Sequence, residues 1–112
     1  MQLNRVFQNL IENAIKFAKP GTPPRVHVAS ITEGDRIVIR IADDGIGMDD
    51  SAKERIFGMF ERLDAGSQIA GFGIGLASAK RVVELMGGTL LVESEKGKGS
   101  TFIISLLAAE KL

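Results

Sequence analysis

Cysteine is absent from the 112 residues, which excludes disulfides and thiolate metal sites. An excess of either charge is absent too: 14 Lys+Arg against 14 Asp+Glu leave a formal net charge of zero. Coating DNA, RNA or an acidic membrane takes a basic excess, so neither nucleic-acid binding nor direct membrane contact is expected. A local cluster of positive charge around a small anion stays open. No apolar run approaches the roughly 20 residues of a membrane helix. The N-terminus, MQLNRVFQNL, has no charged-then-apolar signal pattern and reads as folded helix. The length fits one soluble domain with one core, expected in the cytoplasm. There is no internal repeat, low-complexity tract or linker.

What is present is a clear alternation of periods. Leu3, Val6, Phe7, Leu10, Ile11, Ala14 and Ile15 recur at the helical spacing and predict an amphipathic helix over residues 2–18. KPGTPP, with all three prolines, ends it. RVHVASIT and RIVIRIAD alternate and are β-branched, predicting an antiparallel hairpin with Ile37, Ile39 and Ile41 on one face. A turn-rich DGIGMDD follows. SAKERIFGMFERL reads as a short helix opened by a capping box, Ser51 with Glu54. Residues 64–75, DAGSQIAGFGIG, lack a period and predict a loop. LASAKRVVELM is a second long helix stopped at Gly87-Gly88. TLLVES and STFIISLL form a second hairpin across EKGKG. The order predicts an α+β fold, a two-layer sandwich with a mainly antiparallel sheet and helices on one face.

Two features exceed what this scaffold needs. Asn9, Asn13 and Lys16 stand at i, i+4 and i+7, on a face of their own beside the apolar stripe. Asparagine is a poor helix former because its amide competes for the backbone. Amide oxygens and a lysine on one face could hold a hard cation and a phosphate chain. The second feature is glycine, 13 in all, clustered at 45/47, 71/73/75 and 97/99. Glycines before a helix let backbone N–H groups approach an anion, so GFGIGL is a plausible phosphate cradle. It is not a dinucleotide-binding G-x-G-x-x-G, and KGKGS lacks the P-loop spacing. Asp43, at a strand end before two glycines, can offer an acceptor to an amine.

Taken together, NLIENAIKF, DDGIGM, ERIFGMFERL, GFGIGLASAKRVVELMGG and GKGSTF resemble the successive boxes of the ATP-binding catalytic domain of sensor histidine kinases. That family belongs to the Bergerat-fold group with gyrase B-type, MutL and heat-shock chaperone ATPases. The resemblance runs over nearly the whole chain, residues 1–112, with an ATP lid at 61–75. It implies ATP and Mg²⁺ as cofactors, with Asn13 on the metal and Asn9 in support. Lys16 is implied on the phosphates and Asp43 on the adenine amine, with Gly45, Ile46, Gly47 and Met48 around the base. Phe57 and Phe60 match the box that anchors the lid, and Arg62 lies where an arginine is presented to phosphate. Gly71, Gly73, Gly75 and Leu76 match the lid and helix start; Ser100 and Phe102 match the last box. Phe72 departs from the family, which often has a small hydroxyl residue there. A strand before the first helix is missing, so the chain is expected to be trimmed at its N-terminus.

The resemblance further implies a division of labour. The domain would present the γ-phosphate to a histidine on separate dimerisation helices of the same kinase, and a response regulator would be an indirect partner. The domain alone is not expected to autophosphorylate, and no residue of the chain is assigned a catalytic role. In the gyrase-like relatives a glutamate at the position of Asn9 activates water. An amide cannot act as that base, which disfavours the alternative, an ATP-hydrolysing conformational switch. Glu12 points away from Asn9 and Asn13 and reads as a solvated charge. His27, the sole histidine, lies on an alternating strand and reads as a sheet residue. Phe57, Met59 and Phe60 stay open as plain core residues. Arg55, Lys80 and Arg81 read as solvated face.

Overall fold

The computed structural model describes residues 2–56 and 73–107. Phe57, Met59, Phe60, Arg62, Gly71 and Phe72, with most of the expected lid, lie outside the described residues. Among the described residues seven elements follow in order: α1 (Gln2–Lys16), β1 (Val26–Glu33), β2 (Arg36–Asp43), α2 (Asp50–Arg55), α3 (Gly73–Leu85), β3 (Thr89–Ser94) and β4 (Ser100–Leu107). The strands form one antiparallel sheet in the order β1-β2-β4-β3. Helices cover one face of it, giving the expected α+β sandwich.

Period-two alternation decides which strand residues meet the helices. Ile41 pairs with Phe102 and Ile39 with Ile104 across β2 and β4, and Leu90 pairs with Ile104 across β3 and β4. Those side chains join Val6 and Leu10 of α1, Ala52 of α2 and Leu76, Ala79 and Val83 of α3 in one core. Fully burying a leucine such as Leu10 contributes about 2 kcal/mol relative to leaving it in water.

The apolar stripe of α1 is correct apart from its last member. Val6, Leu10 and Ala14 are buried, whereas Ile15 is 53% exposed. Five residues at 3.6 per turn place Ile15 about 140° round the helix from Leu10, at the flank of the stripe. The edge strand β1 is exposed along all but Val26, beyond the cover of the helical layer.

Two helix starts differ from expectation. The cap of α2 is Asp49, not Ser51: the Asp49 carboxylate accepts from the Ala52 N–H at 2.8 Å, and Ser51 already lies in the helix. Asp is at least as good an N-cap as Ser, and Ala52 at the third position leaves no capping box. α3 begins at Gly73, so Gly73 and Gly75 form its first turn and not the end of a loop. Packing of Leu76, Ala79 and Val83 outweighs the weak helix propensity of two glycines. The far end is as read: Gly87 takes φ +82°, with Gly87 N–H on Glu84 O and Gly88 N–H on Val83 O, a Schellman motif.

Candidate functional site

The site grows from the end of β2. Register sets Asp43 opposite Ser100, and the chain leaves the sheet through Gly45 and Gly47. The Gly45 N–H donates to Asp43 Oδ1 at 2.9 Å, folding the turn around its own aspartate. The next N–H, from Ile46, donates to the carbonyl of Phe17 at 3.0 Å, just past the C-terminus of α1. The Ile46 carbonyl accepts from Gly97 N–H at 2.7 Å, in the turn between β3 and β4. One loop thus ties the first helix to both hairpins.

These close approaches are why glycines stand here. A Cβ on Gly45 would fall on the Phe17 carbonyl oxygen, and one on Gly47 on that of Glu95. Gly99, at φ +87°, sits against the carbonyl of Asp43 in the same way. In this structure the glycines admit backbone to backbone.

Sequence reasoning missed the residue that locks this junction, Ser94. Its Oγ accepts from the Met48 N–H at 2.8 Å and lies 2.8 Å from both Gly99 O and Ser100 Oγ. A hydroxyl has one hydrogen, which goes to the Gly99 carbonyl, so Ser100 is the donor to Ser94. The only signal was Ser94's place opposite Ser100 at the ends of β3 and β4. Ser100 itself is buried, its backbone N–H on the Asp43 carboxylate.

Asp43 is half-buried. Burial raises its pKa above the ordinary aspartate value; the N–H donors of Gly45 and Ser100 oppose that, and the charge of Asp44 adds to it. A carboxylate held by two backbone donors in a partly dry turn is a fixed acceptor for an amine.

Along α1, Asn9 and Asn13 are half-buried and Lys16 is exposed. Asn13 Nδ2 donates to Asn9 O at 2.9 Å, one turn back. A carbonyl can only accept, so this bond fixes the amide with its nitrogen inward and leaves Oδ1 as the outward atom. An outward amide oxygen suits a hard cation. Among the described residues no three His, Cys, Asp or Glu side chains cluster as a metal cage. An amide oxygen as donor fits Mg²⁺, which keeps several waters and takes few protein ligands beside phosphates. The Lys16 ammonium lies 5.6 Å from the Phe17 ring centroid. The Phe17–Ile46 bond ties the turn of Asp43, Gly45, Ile46 and Gly47, with Ser100 beside it, to the end of α1 that carries Lys16; Asn13 and Asn9 lie about one and two turns further back along the helix, and Met48 belongs to the core. Leu76 stands apart: it is wholly buried in the core. His27 is an exposed strand residue.

The family model for histidine kinase-, DNA gyrase B- and HSP90-like ATPases matches residues 1–110. The chain belongs to this family. Several of the similar proteins are histidine kinases by name. The phytochrome-like protein Cph1 of Synechocystis sp. is 42% identical over 106 residues, 95% of this chain and 14% of that protein. The methanogenesis regulatory histidine kinase FilI of Methanothrix harundinacea is 35% identical, over 95% of this chain and 12% of its own length. The chain thus spans about one-seventh or less of the length of these two relatives. The solved mycobacterial sensor histidine kinase MprB superposes with a TM-score of 0.74 at 30% identity, covering 92% of this chain and 70% of that one. This is a histidine kinase-type ATP-binding domain. No helix among the described residues is long and apolar enough to cross a membrane.

Proposed function

We propose that the domain binds Mg-ATP and presents the γ-phosphate for transfer to a histidine on a separate dimerisation domain, which then serves a response regulator. The observation that carries this is the Ile46–Phe17 bond, which sets the amine acceptor Asp43 beside the C-terminal end of the Asn9/Asn13/Lys16 face. The base would sit at Asp43 in the Gly45–Gly47 turn. From there the phosphates would run along α1, with Lys16 and then Asn13 and Asn9 against them. Bound Mg²⁺ supplies charge neutralisation at the phosphate oxygens; Asn13 Oδ1 would hold it and Asn9 support it. Phosphoryl transfer of this kind rests on positioning and charge, with little covalent work for the protein.

Transfer is favoured over hydrolysis by what the metal-binding face lacks. Asn9 has no basic group to activate water. The carboxylate closest in sequence, Glu12, is exposed and accepts from Gln8 Nε2 at 3.1 Å.

The test supplies γ-labelled ATP to the chain with and without the dimerisation helices of its parent kinase. Label is expected on the histidine of the helices, and slow phosphate release from the chain alone. Rapid release of phosphate with no transfer would instead identify an ATP-driven conformational switch.

A further inference from the structure

The phosphate-binding face of α1 does not end at Asn9. Arg5 precedes Asn9 by one turn, so Arg5, Asn9, Asn13 and Lys16 stand at i, i+4, i+8 and i+11 on one side of the helix. Between α1 and α3 a cleft of about 270 Å³ opens there, lined by Arg5, Gln8, Asn9 and Ser78. Its described lining holds a guanidinium, two amides and a hydroxyl. That is a donor-rich surface, with room for a phosphate group and several waters at about 30 Å³ each. Arg5 is exposed and makes no ion pair with any described residue.

Direction along the helix gives the cleft its meaning. The amine acceptor is tied to the C-terminal end of α1 through Phe17, so a nucleotide lying along the helix extends its phosphates toward the N-terminus. Lys16 to Arg5 spans roughly 16 Å at 1.5 Å per residue. The last phosphate comes beside Asn9, and the cleft lies next to it.

We infer that the Arg5–Gln8–Asn9–Ser78 cleft is the subsite for the terminal phosphate, with Arg5 the residue that selects a nucleoside triphosphate over a diphosphate. This rests on the proposed nucleotide reading and names the end of that site. A guanidinium matches phosphate geometry with paired donors, which a lysine cannot reproduce.

The test compares ADP with a non-hydrolysable ATP analogue by calorimetry, in Mg²⁺, for the wild-type chain, Arg5→Ala and Arg5→Lys. Arg5→Ala is expected to weaken the ATP analogue about tenfold, or about 1.4 kcal/mol, and to change ADP by less than twofold. Arg5→Lys should recover part of the loss. Equal weakening of both nucleotides, or no change in either, overturns the subsite while leaving the nucleotide site in place. Failure of the wild-type chain to bind either nucleotide overturns the nucleotide reading itself, and the subsite with it.

Discussion

Asp43 governs how the site responds to pH and to a single amide substitution. Its folded pKa lies above the ordinary 3.8 because burial disfavours the charge. The native state therefore holds this proton more tightly than the unfolded chain. The resulting stabilisation is complete below pH 3.8 and is lost as pH rises through the folded value. Asp43→Asn keeps an oxygen for the Gly45 N–H and removes the buried charge. Its unfolding free energy near pH 7 should equal or exceed that of wild type, and the gap should narrow as pH is lowered, which urea titrations at several pH values would read. Nucleotide affinity should move oppositely, falling in acid at a pH where an exposed aspartate is still ionised. Ser94 makes a second test at this scale. Ser94→Ala strips a partner from Met48 N–H, Gly99 O and Ser100 Oγ together. A loss of about 1–3 kcal/mol is expected in urea unfolding; a neutral substitution would refute the lock.

Between elements, the decisive joint is where the end of β2 meets the turn that enters β4. Gly99 holds φ +87° against the Asp43 carbonyl, so Gly99→Ala is strained by both backbone and space. It should cost more than about 1 kcal/mol and disturb Asp43, whereas Gly97→Ala, with open space around it, should cost less. Denaturant curves for the pair would separate them. In the core, Leu10→Ala should cost about 2–5 kcal/mol by leaving a cavity among α1, α3 and the sheet. Much of this scale was legible in the sequence, because period and burial speak directly to each other: the stripe of α1, both hairpins and the Gly87 stop all stand. The misses share a cause. Asp49 and Ser51 are both good caps, and only the backbone geometry chooses between them. Gly73 and Gly75 lose their loop preference to the packing of Leu76 behind them. Ile15 needs the angle of the helix over the sheet, and Phe17 enters the site through its carbonyl, which no side-chain pattern announces. The asparagine pair on one helix face is visible in the sequence; that the Asn13 amide nitrogen is turned onto Asn9 O is not.

The whole molecule divides its labour between a sheet that fixes the end of β2 and a first helix that displays amides and cations along its length. In the proposed function the loop joining them through Ile46 makes base and phosphate recognition one site, so the two halves should depend on each other. Because Mg²⁺ takes few protein ligands beside substrate phosphates, a divalent metal held by an amide oxygen should bind with the nucleotide and poorly alone. The most direct measurement is calorimetric titration of the chain with a non-hydrolysable ATP analogue, with and without Mg²⁺, beside Asp43→Asn. Saturable binding that Mg²⁺ strengthens and the folded variant loses by at least about tenfold, or about 1.4 kcal/mol, is the predicted result. Unchanged affinity in Asp43→Asn, or no binding to a folded wild-type chain, would contradict the account.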